Sequence, residues 1–274
     1  MRFDDDRSFP EGEFIPGIYN YCNRWCERCL YTDKCMTFEM EKEIRLEIEK
    51  EKRREKSMEE NKDFWAQVNK TIEEAAELID EEIPLVKNDD SFFNDWDDED
   101  AEEAMKEHKE KHNKAKEQPL SKVAQKYEKT ARKWFEERKE TLKQDYDPET
   151  KDFSVSFSGI TDEAELKQLT ESVEVILWYE FQIEVKTQRA FSSLYEEQED
   201  PGLWKDFPKD SDGSARVVAM GIDSSIGAWN YLHKKLTSEK ESIKPIIRML
   251  LWMKMEIEKE FPDAKDFVWP PKMD

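Results

Sequence analysis

A chain of 274 residues is long enough to bury a substantial core, as one large domain or as one domain with a long arm. Hydrophobic residues make up 37% and charged residues 40%, and 7 glycines and 11 prolines are too few for the turns of a sandwich or barrel, so the predicted class is mainly α. A formal net charge of −22 argues against nucleic acid as a partner, because phosphate binding is led by Lys and Arg releasing counterions. No stretch approaches the roughly 18 apolar residues of a membrane span, and MRFDDDRSFPEGEF lacks the apolar core of a signal peptide, so the expected compartment is the cytoplasm.

Residues 1–18, punctuated by Pro10, Pro16 and Gly17, read as an extended lead-in to the stretch YNYCNRWCERCLYTDKCMTF. That stretch holds all 4 cysteines, Cys22, Cys26, Cys29 and Cys35, spaced C-x3-C-x2-C-x5-C. A disulfide framework belongs to short secreted chains, so in a long cytoplasmic one the cluster predicts a metal centre. On one straight helix Cys22 and Cys29 would stand about 10 Å apart along the axis, and zinc needs its sulfurs at about 2.3 Å from one point. A [4Fe-4S] cluster is a larger body with ligands at its corners, which short cysteine spacings can wrap. It is therefore the favoured cofactor, and a structural zinc site, with Cys26 and Cys29 as a knuckle, is the alternative. Either one fills its shell and leaves no open position for substrate, which favours electron transfer, redox sensing or stapling. Tyr19, Tyr21, Trp25, Tyr31 and Phe38 would exclude water there or simply pack, and Arg24, Arg28 and Lys34 would offset thiolate charge. C-x3-C-x2-C also resembles the radical-SAM loop. The resemblance is local, because that family requires a barrel of alternating strands and helices, and Cys35 would occupy the place of SAM.

Beyond the cysteines, Phe38, Ile44 and Ile48 thin into a charge-rich run to about Lys56, in which Lys52–Arg54 read as a solvated face. A second stripe, Met58, Phe64, Trp65, Val68, Ile72, Ala75, Ala76 and Ile79, predicts a helix ending before Pro84. One helix or a hairpin satisfies these two stretches equally. Residues 88–118 are acidic and poor in core formers; His108 and His112 are i,i+4 partners there, more simply solvated than ligands to a metal with Glu107 or Glu110. From Leu120 to Leu142, Val123, Ala124, Tyr127, Ala131, Trp134, Phe135 and Arg138 restore the helical period, and Asp147-Pro148 closes it. FSVSFS alternates like a strand without an evident partner and reads as an extended connector.

Two largely buried helices follow. One is capped by Thr161, runs towards Leu194 and is apolar nearly all round at VEVILWYEFQIEV; the other is SARVVAMGIDSSIGAWNYLHKKL, with Gly221, Gly227 and Ala228 permitting close approach. Their polar groups require partners. Glu180 and Glu184 share a face that Gln188 continues; with Asp223 and His233 nearby they would form a carboxylate site for acid–base or metal work, making the protein an enzyme. The simpler account is a structural network in which Arg189 or Arg216 neutralises Glu180, Glu184 or Asp223. A last helix, packed through Ile246, Ile247, Leu250, Leu251, Met253 and Ile257, starts at a Ser238/Glu241 capping box or near Ser242, where Pro245 suits a first turn. FPDAKDFVWPP reads as a strap over the bundle.

The order IYNYC-RWCERC, GID-SI-AW and FP-A--F resembles a group of uncharacterised bacterial helical proteins with an N-terminal four-cysteine motif. The resemblance spans most of the chain, brings no activity, and implies only that cysteine loop and helical body belong together. The sequence thus predicts a mainly α, multi-helix bundle: a cysteine-rich metal-binding segment at 1–36, a charged helical arm or hairpin at 37–118 and a helical core domain at 119–274. An intracellular metal-binding protein is the first functional expectation. A zinc-stapled scaffold whose acidic helices recruit a basic protein partner is the second, and an enzyme the third.

Overall fold

The structure, a computed structural model, describes residues 14, 15, 17–58, 70, 98–146, 153–157, 159–202, 204, 205 and 208–268. Within these it has six α-helices and one two-stranded sheet: α1 (Met36–Met58), α2 (Asp98–Glu117), α3 (Pro119–Glu136), β1 (Leu142–Tyr146), β2 (Phe153–Phe157), α4 (Glu163–Glu199), α5 (Asp210–Lys235) and α6 (Lys240–Glu260). The mainly α expectation holds. No described helix is long and apolar enough to cross a membrane. The predicted stripe residues Phe64, Trp65, Val68, Ile72, Ala75, Ala76 and Ile79, and with them the alternative of one helix or a hairpin, lie outside the described residues.

The chain divides into two compact units, the first comprising Met1–Tyr19 and Trp25–Lys106, the second Asn20–Arg24 and Glu107–Asp274. In the first, two single-turn 3-10 helices, Cys26–Arg28 and Thr32–Lys34, lead into α1. The lead-in is tied to them where the Ile15 N–H donates to the Lys34 carbonyl at 3.0 Å. Helix α1 keeps Met40, Ile44 and Ile48 more than 40% exposed, as expected for a sequence in which glutamate, lysine and arginine outnumber core formers.

The second unit is a four-helix bundle in which α3 packs on α4, α4 on α5, α5 on α6, and α6 back on α3. Its core is drawn from helical stripes: Tyr127, Ala131 and Trp134 of α3, Leu169, Val173, Ile176 and Ile183 of α4, Val218, Ile222 and Trp229 of α5, and Ile246, Leu250 and Met253 of α6. Trp134 and Trp229 meet edge to face at 5.1 Å, and the Trp134 indole donates to Ser242 Oγ at 2.9 Å. Gly221 sets the closest approach. A Cβ there would stand 2.8 Å from Tyr179 Cδ1 and 3.1 Å from Ile183 Cγ1. Gly227, expected to serve the same purpose, has nothing within 4 Å of such an atom and is exposed.

Several boundaries differ from expectation for identifiable reasons. Leu142 does not end α3; it opens β1, which pairs antiparallel with β2 in the register Leu142↔Phe157, Gln144↔Val155 and Tyr146↔Phe153. FSVSF therefore has a partner. LKQDY was hidden because its charges mask the alternation, while Leu142 and Val155 are buried on one face of the hairpin. Asp162, not Thr161, caps α4, its Oδ1 accepting the Glu165 N–H at 2.9 Å. Helix α5 starts at Asp210 rather than Ser214, because Glu197 of α4 accepts the Ser211 N–H at 2.9 Å and the Ser211 hydroxyl at 2.6 Å. A carboxylate from another helix thus satisfies a donor at that N-terminus, which local sequence does not reveal. A 3-10 turn, Thr237–Glu239, precedes α6, which starts at Lys240 and so carries Pro245 inside the helix. Phe261 and Ala264 are buried behind it, and Phe267 meets Tyr21 edge to face at 4.9 Å, in keeping with a strap.

The two glycines of α5 give a direct check. Gly227→Ala is expected to stabilise by up to about 1 kcal/mol through helix propensity, whereas Gly221→Ala is expected to cost about 1–3 kcal/mol by forcing Tyr179 aside. Urea unfolding of both variants measures the difference, and equal shifts would contradict the packing.

Candidate functional site

In the first unit, Cys26 opens one 3-10 turn and Cys29 closes it, its N–H donating to the Cys26 carbonyl at 3.1 Å. Cys35 follows the second turn, and its carbonyl accepts the Glu39 N–H at 3.1 Å, which starts α1. The Tyr31 N–H points at Cys29 Sγ from 3.4 Å. Trp25 is buried, with the Arg28 guanidinium 3.9 Å above its ring. Cys22 belongs to the second unit. All 4 cysteines are free of disulfides and partly buried. The expected convergence of thiols is not present, since among the described residues no three or more His, Cys, Asp or Glu side chains are grouped to hold a metal ion. Nor do the described residues contain the strand-and-helix barrel of a radical-SAM enzyme.

Residues 20–24 dock on α4 within the second unit. The Asn23 carbonyl accepts the Trp178 indole N–H at 2.9 Å and Gln182 Nε2 at 2.8 Å, while Asn23 Nδ2 donates to the Tyr179 hydroxyl at 2.8 Å. Arg24 turns the chain with φ of 53°, in the left-handed region. Lys186 Nζ donates to the Asn20 carbonyl at 3.2 Å, and burial pulls its pKa below the ordinary lysine value.

This docking forms one end of an open cleft of about 890 Å³. Helix α2 contributes His108, His112 and Lys116, α4 contributes Phe181, Glu184, Gln188, Ser192 and Glu196, and Trp204 and Asp210 complete the wall. Arg189 grips Asp210 with two nitrogens, at 2.9 and 2.5 Å, and Ser193 Oγ donates to the same carboxylate at 2.6 Å. Burial raises the pKa of Asp210, but these bonds outweigh it and hold the group below its ordinary value. Burial and then the Asp210 charge push the Tyr21 phenol to about 12. Burial, then Lys116 and His108, lower the pKa of His112, which keeps its imidazole neutral at neutral pH. His108 Nδ1 lies 3.9 Å from Glu196 of α4.

The four carboxylate-site candidates do not come together. Glu180 is in the core, where Arg132 Nε lies 3.2 Å from its Oε1 and 2.6 Å from Glu128 Oε1. Two buried carboxylates share one cation, and Glu180 Oε2 has no hydrogen-bond partner. Burial, reinforced by Glu128 and opposed by Arg132, pushes Glu180 to about 7. Glu184 lines the cleft, its Oε1 accepting Gln188 Nε2 at 3.1 Å. Asp223 is exposed and paired with Lys254 at 2.6 Å beside a separate, smaller pocket. His233 is half-buried, with Nε2 unpartnered. The cations are therefore Arg132 and Lys254, not Arg189 or Arg216. Helical spacing shows Glu184 and Gln188 on one face, but the Arg189–Asp210 pair joins two helices across a loop and has no local signal. No family model, curated protein or solved structure matches the chain.

Glu180 imposes a pH dependence. Its folded pKa of about 7 exceeds the ordinary 4.5, so the folded state binds this proton more tightly. The resulting stability is fully present below the ordinary value and is lost as pH rises through the folded one. Glu180→Gln is expected to stabilise the protein at pH 8 by about 1–3 kcal/mol relative to its effect at pH 4, discounted for the exposed Arg132. Urea unfolding at both pH values checks it, and a pH-independent difference would refute the assignment.

Proposed function

We propose that this is a metal–thiolate protein in which Cys22, Cys26, Cys29 and Cys35 take up a [4Fe-4S] cluster for electron transfer or redox sensing. The observation that carries the reading is a set of 4 cysteines confined to residues 22–35, all unbridged and partly buried, in a chain with no others. The Tyr31 N–H directed at Cys29 Sγ supports it, because a donor at sulfur favours the thiolate, the form that binds metals. Since the thiols are not grouped for an ion, uptake requires the turns around Cys26, Cys29 and Cys35 to rearrange, which makes part of the binding free energy local folding free energy. A cluster is preferred to zinc because its corners accept sulfurs from a wider loop.

A zinc-stapled interaction scaffold is the second reading, favoured by the open, partly acidic cleft of the second unit. Anaerobic purification or reconstitution, followed by visible absorption and metal analysis, separates the two. The expected result is a coloured protein with about four iron atoms per chain, losing colour in Cys26→Ser and Cys29→Ser. A colourless protein with one zinc would establish the scaffold reading instead, and one that retains neither metal would overturn both.

A further inference from the structure

We propose that the cleft of the second unit is a docking groove for an extended, basic segment of a partner protein, with Glu184 and Glu196 as its two charge anchors. The groove includes none of the four cysteines, so the proposal stands apart from the metal reading. It begins with a row on α4. Glu184, Gln188, Ser192 and Glu196 recur at four-residue intervals and all line the cleft. Among the described residues, neither glutamate forms an ion pair with lysine or arginine: Glu184 Oε1 accepts from the neutral amides of Gln188 at 3.1 Å and Gln125 at 3.5 Å, and Glu196 lies 3.9 Å from His108 Nδ1, with Lys111 and Arg189 near enough to feel its charge. The positive charge on the wall is largely committed elsewhere. Arg189 is held bidentate by Asp210, and His112 is neutral at neutral pH, leaving Lys116 against two carboxylates. The groove therefore favours a cation.

Its other surfaces specify what kind of cation. Phe181 is 53% and Val185 43% exposed beside Glu184, and Trp204 lines the same cleft. Such surfaces suit the methylene stems of lysine and arginine and the flat face of a guanidinium. Asn20, Gln125 and Gln188 line the wall with side-chain amides, the Gln125 and Gln188 nitrogens resting on Glu184 Oε1 at 3.5 and 3.1 Å. These donors and acceptors match a peptide backbone. A bare metal ion does not suit the groove, because no three ligating side chains are grouped there among the described residues. Spacing sets the register. Glu184 and Glu196 stand roughly 18 Å apart along the helix axis, which an extended chain covers in about five residues.

The test is fluorescence anisotropy at low and moderate salt on the full chain, using short labelled peptides otherwise made of Ser, Gly and Ala. One peptide carries two arginines about five residues apart. A second has the same arginines adjacent, and a third has glutamates in their place. The spaced arginine peptide is expected to bind saturably, to weaken with salt and to lose roughly tenfold in affinity in Glu184→Gln/Glu196→Gln. Phe181→Ser should weaken it too. Glu258→Gln, beside the smaller pocket, should leave it unchanged. The adjacent arginines should bind less tightly and the acidic peptide not at all. Absence of saturable binding overturns the proposal. So does equal binding of the two arginine peptides, or an equal loss in Glu258→Gln, because either outcome would reduce the interaction to attraction by the overall negative charge.

Discussion

The contact between α4 and α5 is the constraint on which the second unit depends. At Gly221 the two helices come near enough that the Tyr179 ring and Ile183 occupy the space of a missing side chain. Helices normally stand about 8–10 Å apart according to their contact residues, so a glycine facing an aromatic ring fixes both separation and register. From that register follows the face of α4 turned to each neighbour. Leu169, Val173, Ile176 and Ile183 enter the core, while Trp178, Tyr179 and Gln182 hold the backbone and side chain of Asn23. The row from Glu184 to Glu196 is then left to line the cleft.

An acidic chain folded this way has to place its buried carboxylates with care. Glu197 receives the first donors of α5, where the positive end of the helix dipole favours an anion. Asp210 sits among Arg189 and Ser193, with enough bonds to remain charged despite burial. Glu180 is the exception, since it competes with Glu128 for Arg132 and keeps one oxygen unpartnered. The first two carboxylates tie α4 to α5. The third is disposed by burial towards its protonated form.

These placements separate the carboxylates that sequence spacing had grouped. A carboxylate site requires its members within reach of one substrate atom. Glu180 is instead a core group, Glu184 a cleft group, and Asp223 an exposed partner of Lys254. Two other features stand out: a stretch of four cysteines without disulfides, one of them facing an amide donor, and a cleft lined by amides and by two glutamates that form no ion pair with lysine or arginine among the described residues.

Periodicity alone was enough to read the helices α3 to α6, because each buries one broad stripe and propensity and pattern agree there. The density of cysteines near the start and the burial of α4 and α5 were equally legible, whereas the single face read for Glu180, Glu184 and Gln188 divides, with Glu180 meeting Arg132 in the core and Glu184 and Gln188 lining the cleft. Only the tertiary structure decided which cation meets which acid: Arg132 with Glu180, Arg189 with Asp210, Lys254 with Asp223. It also decided that LKQDY is a strand and that Gly221, not Gly227, is the point of close contact. The physical reason is common to all of these. A helix or strand stripe is written into neighbouring residues, whereas a salt bridge, a strand partner or a close approach depends on residues far apart in the chain, whose meeting is set by packing.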